Sequence, residues 1–225
     1  MPFTNLKIQE KEQRKSYILD AAENLFFSRG YDNISMDDIA REIELNKATL
    51  YLYFKNKEAL YFAIVLRGAR ILNSMVKEKI KACKNGIEIL DAIGIAYFEF
   101  VDKYPDYNRM YLYFRSERFS TKDGEDLCDD AKKIIELRHE EFIITCNAIK
   151  SGINEGTIRS DLDPVEITVF LTQVVKSLSE IHPDFKKVLA NRGITEHQFR
   201  TDVASFVRLM LANNEGKNAR NKKNM

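Results

Sequence analysis

Apolar side chains recur every three or four positions along most of the chain, which is the spacing of amphipathic helices. The first apolar stripe runs from Ile18 to Phe26 and predicts a helix that ends near Gly30. Three more helices follow at short intervals, and each begins at a capping residue. Ser35 opens a short helix with a capping box, Asn46 caps a second short helix through about residue 52, and Asn56 caps a long one to about Lys81.

The remainder of the chain continues the helical pattern with longer elements. Helices are predicted at about 86–103, 106–116, 125–154, 164–179 and 196–212, with a loop at 120–124 and a disordered basic tail at 214–225. The fold class is therefore all-α, with an N-terminal three-helix helix-turn-helix domain joined to a larger C-terminal helical bundle that dimerises. We place the domains at residues 1–55 and 56–213.

The amino-acid composition of the chain excludes several classes of protein. The chain has 225 residues, a formal net charge of +1, and only 9 Gly and 4 Pro, too few for an all-β protein with many tight turns. No segment approaches the ~20 apolar residues of a membrane span, and no secretory leader opens the chain. Three widely spaced cysteines without a CxxC pair predict neither disulfides nor zinc. We expect a cytoplasmic protein without a cofactor or a metal, and no membrane partner.

Residues 35–54 have the spacing of a helix-turn-helix, whose second helix can enter the major groove of DNA. Bulk charge does not favour DNA binding, because residues 1–60 contain nine Lys and Arg against ten Asp and Glu. Residues 45–57, however, contain three lysines and no acid, with two tyrosines between them. Phosphate binding requires donors on one surface rather than a basic average, so this segment is the candidate DNA-binding site.

Residues 14–60 resemble the DNA-binding domain of the TetR family of transcriptional regulators. The matching pieces, in order, are the helix Ile18–Phe26, Gly30-Tyr31, Ile39-Ala40, Lys47–Tyr51 and Phe54–Leu60. The resemblance implies that the recognition helix meets bases and phosphates through Asn46, Lys47, Ala48, Thr49, Tyr51 and Tyr53. It also implies phosphate contacts for Ser35 and Lys57. The turn departs from the family pattern, since Glu44 stands where glycine is common and a left-handed backbone would cost roughly 1–2 kcal/mol.

Aromatic residues are concentrated in the larger domain, where eight of the chain's 24 lie between residues 97 and 114. This concentration fits either an aromatic core or a pocket for a small molecule, and the family resemblance favours a pocket. The candidate pocket residues are Tyr97, Tyr104, Tyr107, Met110, Tyr111, Phe114, His139, Phe142 and Cys146.

The last two long helices predict a homodimer. Residues 165–178 are apolar on nearly every side, and a helix of this kind must be covered all round. The candidate interface residues are Val165, Val169, Phe170, Val174, Leu178, Phe199, Val203, Phe206 and Met210. A two-fold dimer would bind double-stranded DNA at two related half-sites. We therefore predict a homodimeric repressor that a small-molecule effector releases from a palindromic operator.

Three other functions were weighed against this one. A di-iron enzyme would use a Glu-x-x-His pair such as Glu136 and His139, but the chain has no second such pair. A redox sensor would use Cys83, Cys128 or Cys146. A helical adaptor protein would have the same fold without DNA binding. We expect no enzymatic activity.

Overall fold

A computed structural model of the chain describes residues 2–114 and 127–213. These residues form helices and no β-strand, which confirms the all-α class. The helices are α1 (Pro2–Arg29), α2 (Met36–Glu42), α3 (Lys47–Tyr53), α4 (Lys57–Ile80), α5 (Gly86–Lys103), α6 (Pro105–Phe114), α7 (Asp129–Asn154), α8 (Pro164–Ser179), α9 (Pro183–Asn191) and α10 (Glu196–Leu211).

Capping side chains fix where several helices begin. The Asn46 side chain accepts a hydrogen bond from the Ala48 amide at 2.8 Å, and the Asn56 side chain accepts one from Ala59 at 2.7 Å. At α8, one Asp163 oxygen accepts from two backbone amides, with Pro164 at the first helical position. Each of these starts was predicted from the sequence and is confirmed, because a cap satisfies amides that the helix itself cannot pair.

Two features differ from the sequence prediction, and two predicted segments lie outside the described residues. Helix α9 was not predicted; His182 caps it, and Pro183 occupies its first position. Helix α7 begins at Asp129 rather than near residue 125. The predicted loop at 120–124 and tail at 214–225 lie outside the described residues.

The chain divides into two compact units that alternate along the sequence. Among the described residues, the first unit contains 2–71, 104–114 and 127–137, and the second contains 72–103 and 138–213. Helices α4 and α7 each contribute to both units. The domain limits predicted from the sequence were consecutive, and they stay a prediction.

The first unit has an interior rich in aromatic rings. Tyr61 is 1% exposed, and its ring lies edge-on to Phe26, with centroids 5.8 Å apart, and against Tyr31 at 4.8 Å. Its hydroxyl donates to the Met110 carbonyl at 2.6 Å, which ties α4 to α6. Burial raises the pKa of the Tyr61 phenol well above its usual value, so the hydroxyl stays protonated and remains a donor.

Polar side chains, most of them partly exposed, also hold α1, α4 and α6 together. The Tyr107 hydroxyl donates to a Glu23 carboxylate oxygen at 2.7 Å, and Arg67 donates to the same oxygen at 2.8 Å. Arg67 also reaches Asp20 at 2.7 Å. Because these groups come from helices distant in sequence, they fix the position of α6 within this unit.

In the second unit α5, α7, α8 and α10 pack together, and a glycine allows α5 to lie close to α7. A β-carbon at Gly86 would overlap the carbonyl oxygen of Ala148, so α5 can approach α7 this closely only with glycine there. Ile149, Ile158 and Leu211 form the centre of the core in this unit. Salt bridges join α10 to α5, from Arg200 to Asp102 at 2.7 Å and from Arg208 to Asp91.

Helix α4 is long and apolar enough to cross a membrane by length and composition alone. Its 18-residue window has a mean hydropathy of 1.3, and 56% of that window is buried inside the protein. A core helix of a soluble protein passes the same test, so this is weak evidence for a membrane span.

Candidate nucleic-acid interface

Helices α2 and α3 are joined by a tight turn. The Leu45 amide donates to the Ala40 carbonyl at 2.9 Å, which closes the turn. Glu44 has a φ of 51°, a left-handed conformation that costs a non-glycine residue roughly 1–2 kcal/mol. Glu44 thus occupies the backbone region that glycine favours, and the turn closes with glutamate at this position.

Ser35 opens α2 through a complete capping box. Its oxygen accepts from the Asp38 amide at 3.1 Å, while its hydroxyl and its backbone amide donate to Asp38 at 2.5 Å and 2.9 Å. The hydrogen bond from the Ser35 hydroxyl, followed by that from its amide, lowers the pKa of the Asp38 carboxyl. The Ser35 proton is therefore already donated, and a phosphate contact by this hydroxyl would have to replace Asp38.

Helix α3 projects from the unit on two buried side chains. Leu50 and Phe54 are buried against the rest of the helix-turn-helix. On the outer side, Asn46, Lys47, Ala48 and Tyr51 are exposed, while Thr49 and Tyr53 are partly buried. The residues that the resemblance implies for DNA recognition thus share an accessible helix, and their role stays a prediction.

Leu52 is an apolar side chain on α3 that the sequence analysis overlooked. It is 78% exposed, the largest exposed fraction among the large hydrophobic residues described. A leucine two positions after the buried Leu50 points away from the core at 100° per residue, and that spacing could have identified it. Such a side chain can contact a thymine methyl group or a sugar.

Lys47 forms an ion pair with Asp37. Its Nζ lies 2.6 Å from the Asp37 carboxylate, and the two side chains are 53% and 55% exposed. The hydrogen bond to Asp37 raises the pKa of Lys47. Lys47 would therefore exchange a carboxylate for a phosphate on binding DNA, a partner that its position in the sequence did not reveal.

Lys57 binds the loop between α1 and α2. Its Nζ donates to the carbonyls of Tyr31 at 2.9 Å and Ile34 at 2.8 Å, and it lies 4.1 Å from the Tyr31 ring centroid. These contacts give Lys57 a structural role in placing α2 beside α4. Its predicted phosphate contact stays a prediction.

The structure distributes the candidate pocket residues over both units. Tyr104, Tyr107, Met110, Tyr111 and Phe114 belong to the first unit, and Tyr97, His139, Phe142 and Cys146 belong to the second. In the first unit these residues take part in packing, as when Phe114 meets Phe62 edge-on at 5.4 Å. His139 is exposed, whereas Cys146 is buried. The ligand-binding role of all nine stays a prediction.

A cavity of about 550 Å³ lies between α5, α8 and α10 in the second unit. None of the nine candidate pocket residues lines it. Its wall is mainly apolar, with Phe98 stacked beneath the Arg200 guanidinium at 5.1 Å. Three predicted interface residues, Val174, Leu178 and Val203, line this cavity.

The candidate interface residues differ in exposure. Val165, Val169, Phe170 and Phe206 are exposed; Val174, Phe199, Val203 and Met210 are partly buried; Leu178 is buried. Three further apolar side chains that were not predicted at the interface are also exposed: Phe185, Val188 and Leu209. What these three residues share in the sequence is an apolar side chain on a short helix or on the last helix, with no second apolar stripe in the chain to pack against it.

Among the described residues, the Glu136–His139 pair and Cys83 lack the surroundings that the alternative functions require. Glu136 and His139 are both exposed on α7, whereas a di-iron site needs such residues to project inward. Burial raises the pKa of the Cys83 thiol, and Glu88 and Asp91 add to the shift, so the reactive thiolate is disfavoured. Within the described residues, no group of three or more His, Cys, Asp or Glu could hold a metal ion.

Comparison with known proteins gives a consistent result for the N-terminal region. Residues 18–64 match the family model described as bacterial regulatory proteins, tetR family. The chain is 32% identical over 92 residues to the HTH-type transcriptional activator FasR of Mycolicibacterium smegmatis, covering 41% of this chain and 42% of FasR. It is 35% identical over 99 residues to the biofilm operon icaADBC HTH-type negative transcriptional regulator IcaR of Staphylococcus aureus, covering 44% of this chain and 52% of IcaR. The chain thus matches about half the length of these curated relatives.

Solved structures extend the similarity of fold over most of the chain. The ketosteroid transcriptional regulator KstR2 of Mycobacterium tuberculosis superposes with a TM-score of 0.66 at 18% identity, covering 88% of this chain and 95% of KstR2. AibR in complex with isovaleryl coenzyme A and operator DNA gives a TM-score of 0.64 at 23% identity, covering 86% of this chain and 97% of AibR. At these identities the likeness establishes the fold.

Proposed function

We propose that this chain, whose residues 18–64 match the tetR family model, is a cytoplasmic, homodimeric repressor of the TetR family of helix-turn-helix transcriptional regulators. It binds a palindromic operator and is released by a small-molecule effector. The observation that carries the proposal is α3, which offers Asn46, Lys47, Ala48 and Tyr51 on an accessible surface while Leu50 and Phe54 anchor it.

The DNA-binding step follows from the chemistry of α3. The helix enters the major groove, where Asn46 and Thr49 lie near its first turn and can reach base edges. Lys47 leaves Asp37 and pairs with a phosphate, which neutralises charge and releases counterions from the DNA. Tyr51 and Tyr53 supply hydroxyl donors to the backbone that borders the groove.

A second copy of the chain covers the apolar side chains exposed on α8 and α10. Val169, Phe170 and Phe206 would be in water in a monomer. Pairing by a two-fold axis buries the same patch on both copies and presents two recognition helices. Their spacing then requires half-sites separated by about one turn of DNA or a multiple of it.

The effector acts by binding one conformation of the protein more tightly than the other. Two places can receive it: the predicted aromatic residues, and the cavity of about 550 Å³ between α5, α8 and α10. The volume of this cavity is typical of ligand sites, and its wall is apolar with a few charged groups. AibR, whose solved complex contains isovaleryl coenzyme A and operator DNA, has a related fold.

The proposal is tested by selecting genomic fragments that the purified protein binds and measuring affinity for the selected sequence. Lys47→Ala is expected to weaken binding by roughly tenfold or more, because it removes a phosphate contact. Asn46→Ala should relax the sequence preference.

Lys132→Ala is the matched control for Lys47→Ala. It removes one exposed lysine of α7, outside the candidate DNA-binding segment at residues 45–57, so it should leave the affinity unchanged. Selection of no fragment, or equal affinity for Lys47→Ala and wild type, would contradict the proposal. Lys57→Ala is less decisive, since it also removes contacts that hold the α1–α2 loop.

A further inference from the structure

We propose that the cleft between the N-terminal half of α1 and the end of α3 is a second binding site for the DNA backbone. Lys11 and Arg14 are its phosphate-binding residues. This inference rests on the proposed DNA-binding function and adds Lys11 and Arg14, to which the resemblance gives no DNA contact. The bound group is a phosphodiester of duplex DNA, next to the groove that α3 occupies.

Helix α1 extends well beyond the part of the chain that matches the family model. It begins at Pro2, sixteen residues before Ile18, where the match starts. At 1.5 Å per residue this extension is about 24 Å long. It is therefore long enough to follow several phosphates of a DNA strand.

The extension forms one wall of a cleft of about 700 Å³, and Tyr53 of α3 stands on the other side. The α1 residues that line it are Glu10, Lys11, Gln13, Arg14 and Tyr17. Positions 10, 13, 14 and 17 fall on one side of a helix with 3.6 residues per turn. The cleft thus adjoins the recognition helix at the end where we place backbone contacts.

The cleft offers several hydrogen-bond donors to an anion. Arg14 has a planar guanidinium that can bind a phosphate through two hydrogen bonds, Lys11 has an ammonium group, and both are exposed. Tyr17 is 58% exposed and adds a hydroxyl. The ammonium of Lys15 lies 5.7 Å from the Phe54 ring centroid, which places another positive charge beside the end of α3.

Lys11 and Arg14 differ from the lysines of the helix-turn-helix in their partners. Lys47 is paired with Asp37, and Lys57 is bound to loop carbonyls. Within residues 8–114 and 127–213, neither Lys11 nor Arg14 forms an ion pair. Glu10 is the one acid among the lining residues, so the cleft carries a net charge of +1 from two bases and one acid.

A DNA phosphate fits this position better than a free anion. The α1 residues that line the cleft are exposed, and Tyr53 connects it to the surface that would enter the groove. Contacts to phosphates at the edge of a groove set the register of a recognition helix without reading sequence. The site would therefore strengthen binding to all sequences by a similar factor.

The test compares wild type with the double variant Lys11→Gln, Arg14→Gln in operator binding over a range of salt concentrations. The variant is expected to bind roughly tenfold more weakly at low salt, and the slope of log K against log salt should fall by about two. The loss should be equal for operator and unrelated DNA. Glu10→Gln should act in the opposite direction and strengthen binding.

The matched control is Lys132→Gln, Lys133→Gln, which removes two exposed positive charges from α7 in the same unit. Its salt slope should equal that of wild type. An unchanged slope in the Lys11 and Arg14 variant, or equal slopes in it and the control, would overturn the inference. Saturable binding of inorganic phosphate by the free protein that Lys11→Gln, Arg14→Gln abolishes, with DNA binding unaltered, would also overturn it.

The two proposals can fail separately. If Lys47→Ala weakens operator binding and the double variant does not, the DNA-binding function stands and the second site is wrong. If wild type binds no duplex at any salt concentration, the proposed function itself is wrong.

Discussion

The two units of this protein cover their apolar side chains to different degrees. In the first unit, Tyr61 and Phe26 are buried almost completely, and hydroxyl groups of α4 and α6 find partners inside the unit. In the second unit, α8, α9 and α10 expose large apolar side chains such as Phe170, Phe185 and Phe206. The first unit also exposes a few large apolar side chains, such as Leu52, but seven of the fourteen found in the described residues lie on α8, α9 and α10 of the second unit.

The exposed apolar side chains of the second unit are a physical argument for the proposed homodimer. Scattered apolar residues are normal on protein surfaces, but several on neighbouring helices mark an interaction site. A second copy of the chain would bury them on both partners at once. The three predictions that follow test this contrast between the two units.

The largest effect is expected from truncating a buried ring. Tyr61→Ala should lower the free energy of unfolding by about 3–5 kcal/mol at any protein concentration, because it leaves a cavity within one unit. Phe206 is 63% exposed. Phe206→Ala should lower the free energy of unfolding by an amount that grows with protein concentration, because only dimerisation covers this side chain. Urea denaturation followed by far-ultraviolet circular dichroism measures both, and the chain has no tryptophan to report instead.

Tyr61→Phe is the control that preserves the ring. It loses only the hydrogen bond to the Met110 carbonyl and should cost about 1–2 kcal/mol. If the loss of unfolding free energy in Phe206→Ala did not vary with protein concentration, dimerisation would not cover this side chain. That result would contradict the contrast between the two units.

An intermediate effect is expected from a charge in the exposed surface of the second unit. Phe170→Asp should weaken dimerisation about thirtyfold or more, the equivalent of about 2 kcal/mol for a central interface residue. Sedimentation equilibrium measures the dissociation constant. Ile135→Asp, at an exposed apolar position of α7 in the first unit, is the matched control and should dimerise like wild type. A monomeric wild type would refute the interface altogether.

The smallest effect is a loss of stability in alkali that originates in the first unit. Burial raises the pKa values of Tyr61 and Tyr107 above the ordinary value of about 10. The folded state therefore holds these protons more tightly than the unfolded state, and its stability is full below pH about 10 and falls as the pH rises further. Denaturation at increasing pH should show this fall, and Tyr107→Phe should reduce it. Tyr17→Phe, at an exposed tyrosine, should leave it unchanged.

The sequence predicted the parts of this fold that depend on local chemistry. Ser35, Asn46 and Asp163 were recognised as caps, because a side-chain oxygen at a helix start pairs with amides only two or three residues away. Helix α9 was missed, since histidine is not a common cap and the helix is short. Pro183 at its first position was the signal available.

Contacts between distant residues could not be predicted in this way. Asp37 and Lys47 lie on different helices, and their pairing depends on how α2 and α3 cross. The aromatic residues of α6 were candidate pocket residues from composition, but the direction of each ring depends on α1 and α4. The cleft at α1 was overlooked for the same reason, as its second wall belongs to α3.

The ion pair between Lys47 and Asp37 has a consequence for how such a regulator can evolve. Asp37 pairs with Lys47, and the proposed arrangement assigns it no contact with a base. A substitution at position 37 would thus change the affinity of the protein for every DNA site by a similar factor. The order of affinities among those sites would stay the same. Selection could set the expression level of the controlled genes at this one position and leave the list of those genes intact.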